Sequence, residues 1–504
     1  MSKFSNFSYV SSDAIGLAQA ISAGVLSSAE AVSEARNAIA ALNPELNAVI
    51  ALTDELADRQ LNALPSGPLS GVPVLLKDDC PSYAGAPMSF GSRAARGNVA
   101  ERNHEIVNRY LANGLVILGK TNLPEFSCNV ATEPSLSGRT RNPWHPERSV
   151  GGSSGGAAAA VAARMVPIAY ANDGAGSIRI PASFTGLFGL RPSRGRTPTG
   201  PVSAENWGGL VSHHVLTRSV RDSALMLDLT SGLEPGAMYA APTPKTSFLE
   251  AAAAAPGPMR IGVLDTYPLG VTIDPEVARA FSETEMLMKK LGHELIPIRP
   301  DFDAEALAGA LADIVAVYTA MEVADVAEQF GVPATEDYFE PANLALKAYG
   351  ESLSATMILR ARNRLSATAR SFGRLFENCD VLMTPTVPEL PPLTGRPDAR
   401  SSSREAFIAD FLSLSAFCHP ANAAGNPAMS VPLHTSNDGL PIGIQFVGPY
   451  GGEAVLFSLA GQLEAASPWQ ERLPPVCHGG AQASRNFNAI YQVRLSNRRS
   501  ERGL

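Results

Sequence analysis

Residues 172–183 read Asn-Asp-Gly-Ala-Gly-Ser-Ile-Arg-Ile-Pro-Ala-Ser, which places a single hydroxyl, Ser177, at the end of a run of small residues. Gly174, Ala175 and Gly176 let the main chain approach a bound group closely, so several successive N–H groups, including that of Ser177, can turn inward. A hydroxyl beside such a row of donors suits attack on a carbonyl carbon, which needs a nucleophile, a base to activate it and donors for the oxyanion that forms. Alone, Gly-x-Gly-Ser is a weak signal, because most glycine–serine turns are only turns. It gains weight from a second cluster upstream, Gly151-Gly152-Ser153-Ser154-Gly155-Gly156, and from Lys77, which ends the apolar run 72–76. The three together are far more specific than any one of them.

Each of these residues also has a plainer reading. Gly151-x-Ser153-x-Gly155 fits the nucleophile elbow of another hydrolase class, which would make Ser153 the attacking group. That elbow needs a strand directly before it, and the preceding Asn-Pro-Trp-His-Pro-Glu-Arg-Ser-Val carries two prolines, which excludes a central strand. Lys77 would ordinarily be a surface lysine, but it closes a buried strand. Asp78 and Asp79 read as loop carboxylates, and Arg179 as a residue that orients the turn. His213-His214, the only adjacent pair among eight histidines, has no carboxylate or cysteine at ligand spacing and reads as a loop pair, not a metal site. Cys128 and Cys418 read as buried inert thiols.

The elements that must position these groups follow from periodicity and punctuation. Ser27 and Glu30 make a capping-box spacing ahead of an alanine-rich helix over 29–42 that stops at Asn43-Pro44. The run 72–76 predicts a buried strand. A helix near 102–113, ended by Gly114, leads into the apolar run 115–118. Residues 141–156 read as irregular backbone, 157–164 as a helix, 166–171 as a strand, and 172–183 as a turn entering a helix. Beyond 259 the alternation continues, with Asp274 as N-cap, Pro275 at the first helical position and strands over 381–386, 428–433 and 442–448. The class is α/β with a substantial sheet. Residues 235–258 suit either a linker or a surface excursion of one domain.

With 504 residues, 45% hydrophobic and 17% charged, the chain can bury a large core. The net charge of −8 argues against a nucleic-acid surface, which needs clustered Lys and Arg. Five scattered cysteines without a CxxC pair read as free thiols in a reducing compartment. No signal-peptide h-region and no uninterrupted apolar run long enough to span a bilayer are found, so a soluble cytoplasmic protein is expected. Residues 481–504, with five Arg and one Glu, read as a flexible basic tail.

The segments GGSSGG and DGAGSIRIPA at this spacing, with GVPVLLKD far upstream, resemble the amidase signature family. GKTNLPEF (119–126), RNPW (141–144) and GNPAMSVPL with GLPIGIQFVG (425–448) also fall where that family has recurring segments. The resemblance implies one domain over 1–480, its signature core at about 70–200, built on a large twisted mixed β-sheet covered by helices on both faces. It implies a Ser-cisSer-Lys triad: Ser177 as nucleophile, Ser153 as proton relay after a cis Gly152–Ser153 bond, and Lys77 as base. The N–H groups of Gly174, Ala175, Gly176 and Ser177 would form the oxyanion hole, and Ser154 would be structural. Many members have two glycines before the nucleophile where this chain has Ala175-Gly176. It implies a small-molecule amide substrate cleaved through an acyl-enzyme; without metal-ligand spacing, a nucleotide-binding loop or a flavin motif, no cofactor and no metal are expected, and neither nucleic acid nor membrane is expected as a partner, while a homodimer stays open.

Within the family the runs at 172–183, 141–144 and 439–448 look closest to the 6-aminohexanoate cyclic dimer hydrolase type. The region from about 230 to 380, which includes Tyr318, matches poorly and would form much of the substrate pocket. The rival reading is the amidase-like subunit of a tRNA-dependent amidotransferase, but no docking helix is evident at the C-terminal end.

Overall fold

Apolar runs buried on both sides, such as Val74-Leu75-Leu76 and Ile168-Ala169-Tyr170, belong to strands with helices on each face of a sheet. The computed structural model describes residues 7–479 except 202, 204, 267–269 and 300. Its strands are β1 (Val49–Leu52), β2 (Pro73–Lys77), β3 (Val116–Thr121), β4 (Arg141–Asn142), β5 (His145–Ser149), β6 (Ile168–Asp173), β7 (Phe188–Arg191), β8 (Ser212–Thr217), β9 (Arg260–Val263), β10 (Glu294–Pro297), β11 (Val381–Pro385), β12 (Ala428–Thr435) and β13 (Pro441–Val447). Eleven of them form one sheet in the order β1-β3-β2-β6-β8-β7-β12-β13-β11-β9-β10. The sheet is mixed: β2 runs parallel to β3 and β6, whereas β8 is antiparallel to both β6 and β7.

Alternation along the strands assigns the two faces. Leu75, Ala169 and Ala171 pack with the helices Ser28–Leu46 and Gly155–Ala162, while Val74, Leu76, Ile168 and Tyr170 pack with the helices Ala14–Ser22 and Glu105–Ala112. The tiny side chains of Gly155–Ala162 let that helix sit directly on the sheet, and every residue in it is buried.

The structure corrects several expectations about elements. The capping box at Ser27 and Glu30 is present, but the helix continues through Pro44 to Leu46. Asn43 makes this possible: its side chain accepts from the amides of Ala48 and Val49 and donates to the Val49 carbonyl, so the exit is held despite the proline. Residues 141–149, read as irregular, form the separate hairpin β4–β5, with Pro143 between the strands and Pro146 within β5. A two-stranded edge tolerates prolines that a central strand excludes. His213 and His214 lie on β8, not in a loop, and both are buried. Residues 235–258 carry a short helix, Phe248–Ala253, whose Phe248 is buried against the helix Glu453–Ala466, so this stretch packs on the body of the fold. The tail expected over 481–504 lies outside the described residues.

The helix Ala304–Phe330 is long and apolar enough to cross a membrane by length and composition, although Asp313 and Glu322 interrupt its apolar run. Its Leu307, Leu311, Ile314, Val315 and Val323 are buried in the protein, among an apolar cluster that also takes in Trp207 and Phe184.

Candidate active site

Strand β2 delivers Lys77 into the interior, where its side chain is fully buried. The ammonium donates to Ser153 Oγ at 2.7 Å and to Asn172 Oδ1 at 2.6 Å, and lies 3.4 Å from Asp79 Oδ2. Burial lowers the Lys77 pKa from the ordinary lysine value, against the pull of Asp79 in the opposite direction. Burial pushes the Asp79 carboxyl up, but the Lys77 charge and hydrogen bonds from Ser127, Asn172 and the Cys80 amide outweigh it, and the carboxyl stays below its usual range. Asp79, read from sequence as a loop carboxylate, is therefore a direct neighbour of Lys77, and Asn172 joins the two. Asp78 is separate: its Oδ2 accepts from the Ser89 amide at 2.9 Å.

The Gly152–Ser153 peptide bond is cis. Ser153 sits just ahead of the helix Gly155–Ala162, and Ser154 donates to the Asn172 carbonyl at 3.3 Å. Ser177 lies between β6 and the helix Arg179–Thr185 and is buried, with 7% of its surface exposed. Its hydroxyl makes no hydrogen bond among the described residues, so the Ser153–Ser177 contact that a relay requires is not closed here. Such contacts commonly tighten only when substrate binds.

The turn before Ser177 is held from beneath. Asp173, at the end of β6, accepts from the amides of Gly176 at 2.7 Å and Ile178 at 3.2 Å. Arg179 grips the same carboxylate with two bonds of 2.9 and 2.8 Å, and both side chains are fully buried. The remaining guanidinium donors reach the Cys418 carbonyl, Gln445 Oε1 and Asn422 Oδ1. Burial alone would raise the Asp173 carboxyl, but Arg179 beside it holds it well below the usual range. One expectation changes in consequence: the Gly176 N–H is committed to Asp173, which leaves the N–H groups of Gly174, Ala175 and Ser177 as the donors free to meet an oxyanion.

Gly176 has φ +123, and a Cβ there would lie 2.7 Å from Ile180 Cδ1 and 2.9 Å from Cys418 Cβ, so only glycine fits. Gly174 is covered by Trp207, whose Cε3 would be 3.2 Å from an added Cβ.

Removing one partner of the buried pair should be severe. Arg179→Met leaves Asp173 as an uncompensated buried charge, a loss of about 3–5 kcal/mol. Chemical denaturation should show that fall in stability, and a change below about 1 kcal/mol would show that the pair does not hold the turn.

Cys80, His104 and His213, distant in sequence, bring one ligand atom each to within 4.8 Å of one another. Their hydrogen bonds argue against a metal. His104 Nδ1 accepts the Ile106 amide, so Nε2 carries the ring proton and has no lone pair to offer. His213 Nδ1 is bonded to the Tyr170 hydroxyl at 2.5 Å. Burial holds the His213 imidazole neutral, at about 3, and pushes the Cys80 thiol up to about 12. Cys128 and Cys418 are buried, and burial raises both thiols to about 12, so neither is a reactive thiolate.

A family model described as Amidase matches residues 30–457. The chain is 38% identical over 474 residues to the 6-aminohexanoate-cyclic-dimer hydrolase of Paenarthrobacter ureafaciens, covering 92% of this chain and 96% of that one. It is 36% identical over 466 residues to the putative amidase AmiA2 of Mycobacterium tuberculosis (strain ATCC 25618 / H37Rv), covering 90% and 92%. The solved structure of 6-aminohexanoate cyclic dimer hydrolase complexed with substrate superposes with a TM-score of 0.89 at 37% identity, covering 93% of this chain and all of that one. The chain belongs to the amidase signature family. It is a hydrolase acting on amide bonds, related to the 6-aminohexanoate cyclic dimer hydrolases.

Proposed function

We propose that this enzyme cleaves the amide bond of a small, largely uncharged linear or cyclic substrate through an acyl-enzyme on Ser177. The observation that carries the reading is the buried Lys77 Nζ at 2.7 Å from Ser153 Oγ, with Ser177 on the turn that follows β6. Lys77, when neutral, takes a proton from Ser153 as Ser153 takes one from Ser177, and Ser177 Oγ bonds to the carbonyl carbon. The amides of Gly174, Ala175 and Ser177 stabilise the oxyanion. The proton returns through Ser153 to the leaving nitrogen as the C–N bond breaks, and water then hydrolyses the ester by the same route. Relatives at 37–38% identity that act on 6-aminohexanoate cyclic dimer support an aliphatic amide of that size. Four fully buried thiols and no disulfide among the five cysteines suit a reducing, cytoplasmic setting.

Hydrolysis of neutral anilides, linear aminoalkanoate amides and cyclic amides tests the reading, run with EDTA because lysine and backbone donors supply the activation here. We expect chelator-insensitive rates, preference for neutral aliphatic amides over dicarboxylic ones, and an acyl adduct on Ser177 by mass spectrometry. Rates lost to EDTA, or an adduct on another residue, would overturn it.

A further inference from the structure

The middle of the chain, where resemblance is weakest, contributes an acid that the triad chemistry leaves unused. Glu322 lies on the helix Ala304–Phe330, and its Oε2 is buried without a hydrogen-bond partner. The residue four positions earlier, Tyr318, shares its face of the helix and comes within 3.9 Å of a Cβ placed on Gly208. Next to Gly208 is Trp207, the residue whose ring covers Gly174 of the oxyanion turn. Burial raises the Glu322 carboxyl to about 8, with Asp79 pushing the same way and the Trp207 indole, a hydrogen-bond donor, pulling it back. Glu322 thus stands next to Trp207 and within electrostatic reach of Asp79, the partner of Lys77.

A carboxyl left half-satisfied among apolar groups costs stability. The Trp207 indole meets one side of the Glu322 carboxyl, and among the described residues no donor meets its Oε2. An acid with an open acceptor beside a reactive turn is built to receive a donor from outside the protein.

We propose that Glu322 is a substrate-recognition residue, whose carboxyl receives an N–H group of the substrate away from the bond being cleaved. The proposal rests on the amidase reading above and narrows its substrate class to amides with a second nitrogen. That nitrogen can belong to a second amide, as in a cyclic or oligomeric aminoalkanoate, or to a protonated amine. A second amide matches both halves of a neutral carboxyl, accepting its O–H and donating an N–H in return. A protonated amine instead draws the group to its carboxylate.

The test compares p-nitroanilides of matched chain length that end in an acetamido, an ammonium or a methyl group, with full-length wild type, E322Q and E322L. Wild type should favour at least one nitrogen-bearing substrate over the methyl one by about tenfold or more in kcat/KM. E322L should erase that preference. E322Q should keep it for the acetamido substrate and lose it for the ammonium one, which identifies the source of the N–H. Competitive inhibition by N-hexylacetamide and hexylammonium, against hexanol, should follow the same pattern.

A structural role predicts that E322L unfolds at a lower temperature, whereas removal of an unsatisfied acid should leave Tm unchanged or raise it. Unchanged preferences in E322L, or no preference in wild type, would overturn the proposal while the methyl substrate still reports amidase activity. If no amide is turned over, the amidase reading fails and this proposal with it.

Discussion

Ser177→Ala is expected to reduce amide turnover by about 10⁴-fold or more while leaving the thermal unfolding temperature unchanged. The two halves of that expectation have separate grounds. The loss in rate follows because Ser177 is the hydroxyl carried by the turn whose Gly174 and Ala175 amides are not committed among the described residues. The unchanged stability follows because the Ser177 hydroxyl makes no hydrogen bond among the described residues and the turn is held by Asp173 and Arg179 instead. Ser153→Ala should behave differently: it removes the acceptor of the Lys77 hydrogen bond at 2.7 Å and leaves at most a small residue of activity. Measured kcat for both variants on one amide, with their melting curves, checks the pair. Wild-type rates in Ser153→Ala, or labelling of Ser153 rather than Ser177 by a serine-trapping reagent, would show that the roles are misassigned.

Lys77→Met should remove most amide turnover and flatten the acid limb of the pH–rate profile. A lysine is a base only when neutral, and burial shifts Lys77 toward that form. Activity of the wild type should therefore rise with pH through one deprotonation whose midpoint lies below the ordinary lysine value. Asp79 supplies an internal check on sign: its negative charge favours the protonated amine, so Asp79→Asn should move the limb to lower pH. A limb that stays in place in Lys77→Met, or moves to higher pH in Asp79→Asn, would take the lysine out of the base role. The profiles are best taken as kcat/KM, which reports groups of the free enzyme.

Lys77, Ser153 and Ser177 stood out in the sequence as candidate site residues because each sits in a short segment whose composition is itself unusual: a lysine closing an apolar strand and two glycine–serine clusters. The strand–helix alternation was legible for the same local reason, and the caps at Ser27 and Asp274 stand where the residue types put them. What escaped were pairings across long separations. Asp79 and Asn172 are 93 residues apart and meet only because β2 and β6 are neighbours in the sheet. Glu322 gave no local sign, because its significance comes from Trp207, which another part of the chain supplies. The commitment of the Gly176 amide to Asp173 was hidden because glycine content reports freedom of the backbone but not which acceptor uses its donor. Pro44 within a helix and Pro146 within a strand show the converse, where punctuation that usually ends an element is overruled by side-chain bonds or by an edge position.

The partners of Arg179 at Cys418, Asn422 and Gln445 lie 239, 243 and 266 residues away along the chain. During synthesis the Ser177 turn emerges long before the segment that secures it. Until β13 has left the ribosome and folded back, the guanidinium lacks its full set of acceptors. Ordering of the Ser177 turn is thereby tied to completion of most of the polypeptide, and a chain terminated before β13 carries Lys77, Ser153 and Ser177 without the full clasp on that turn.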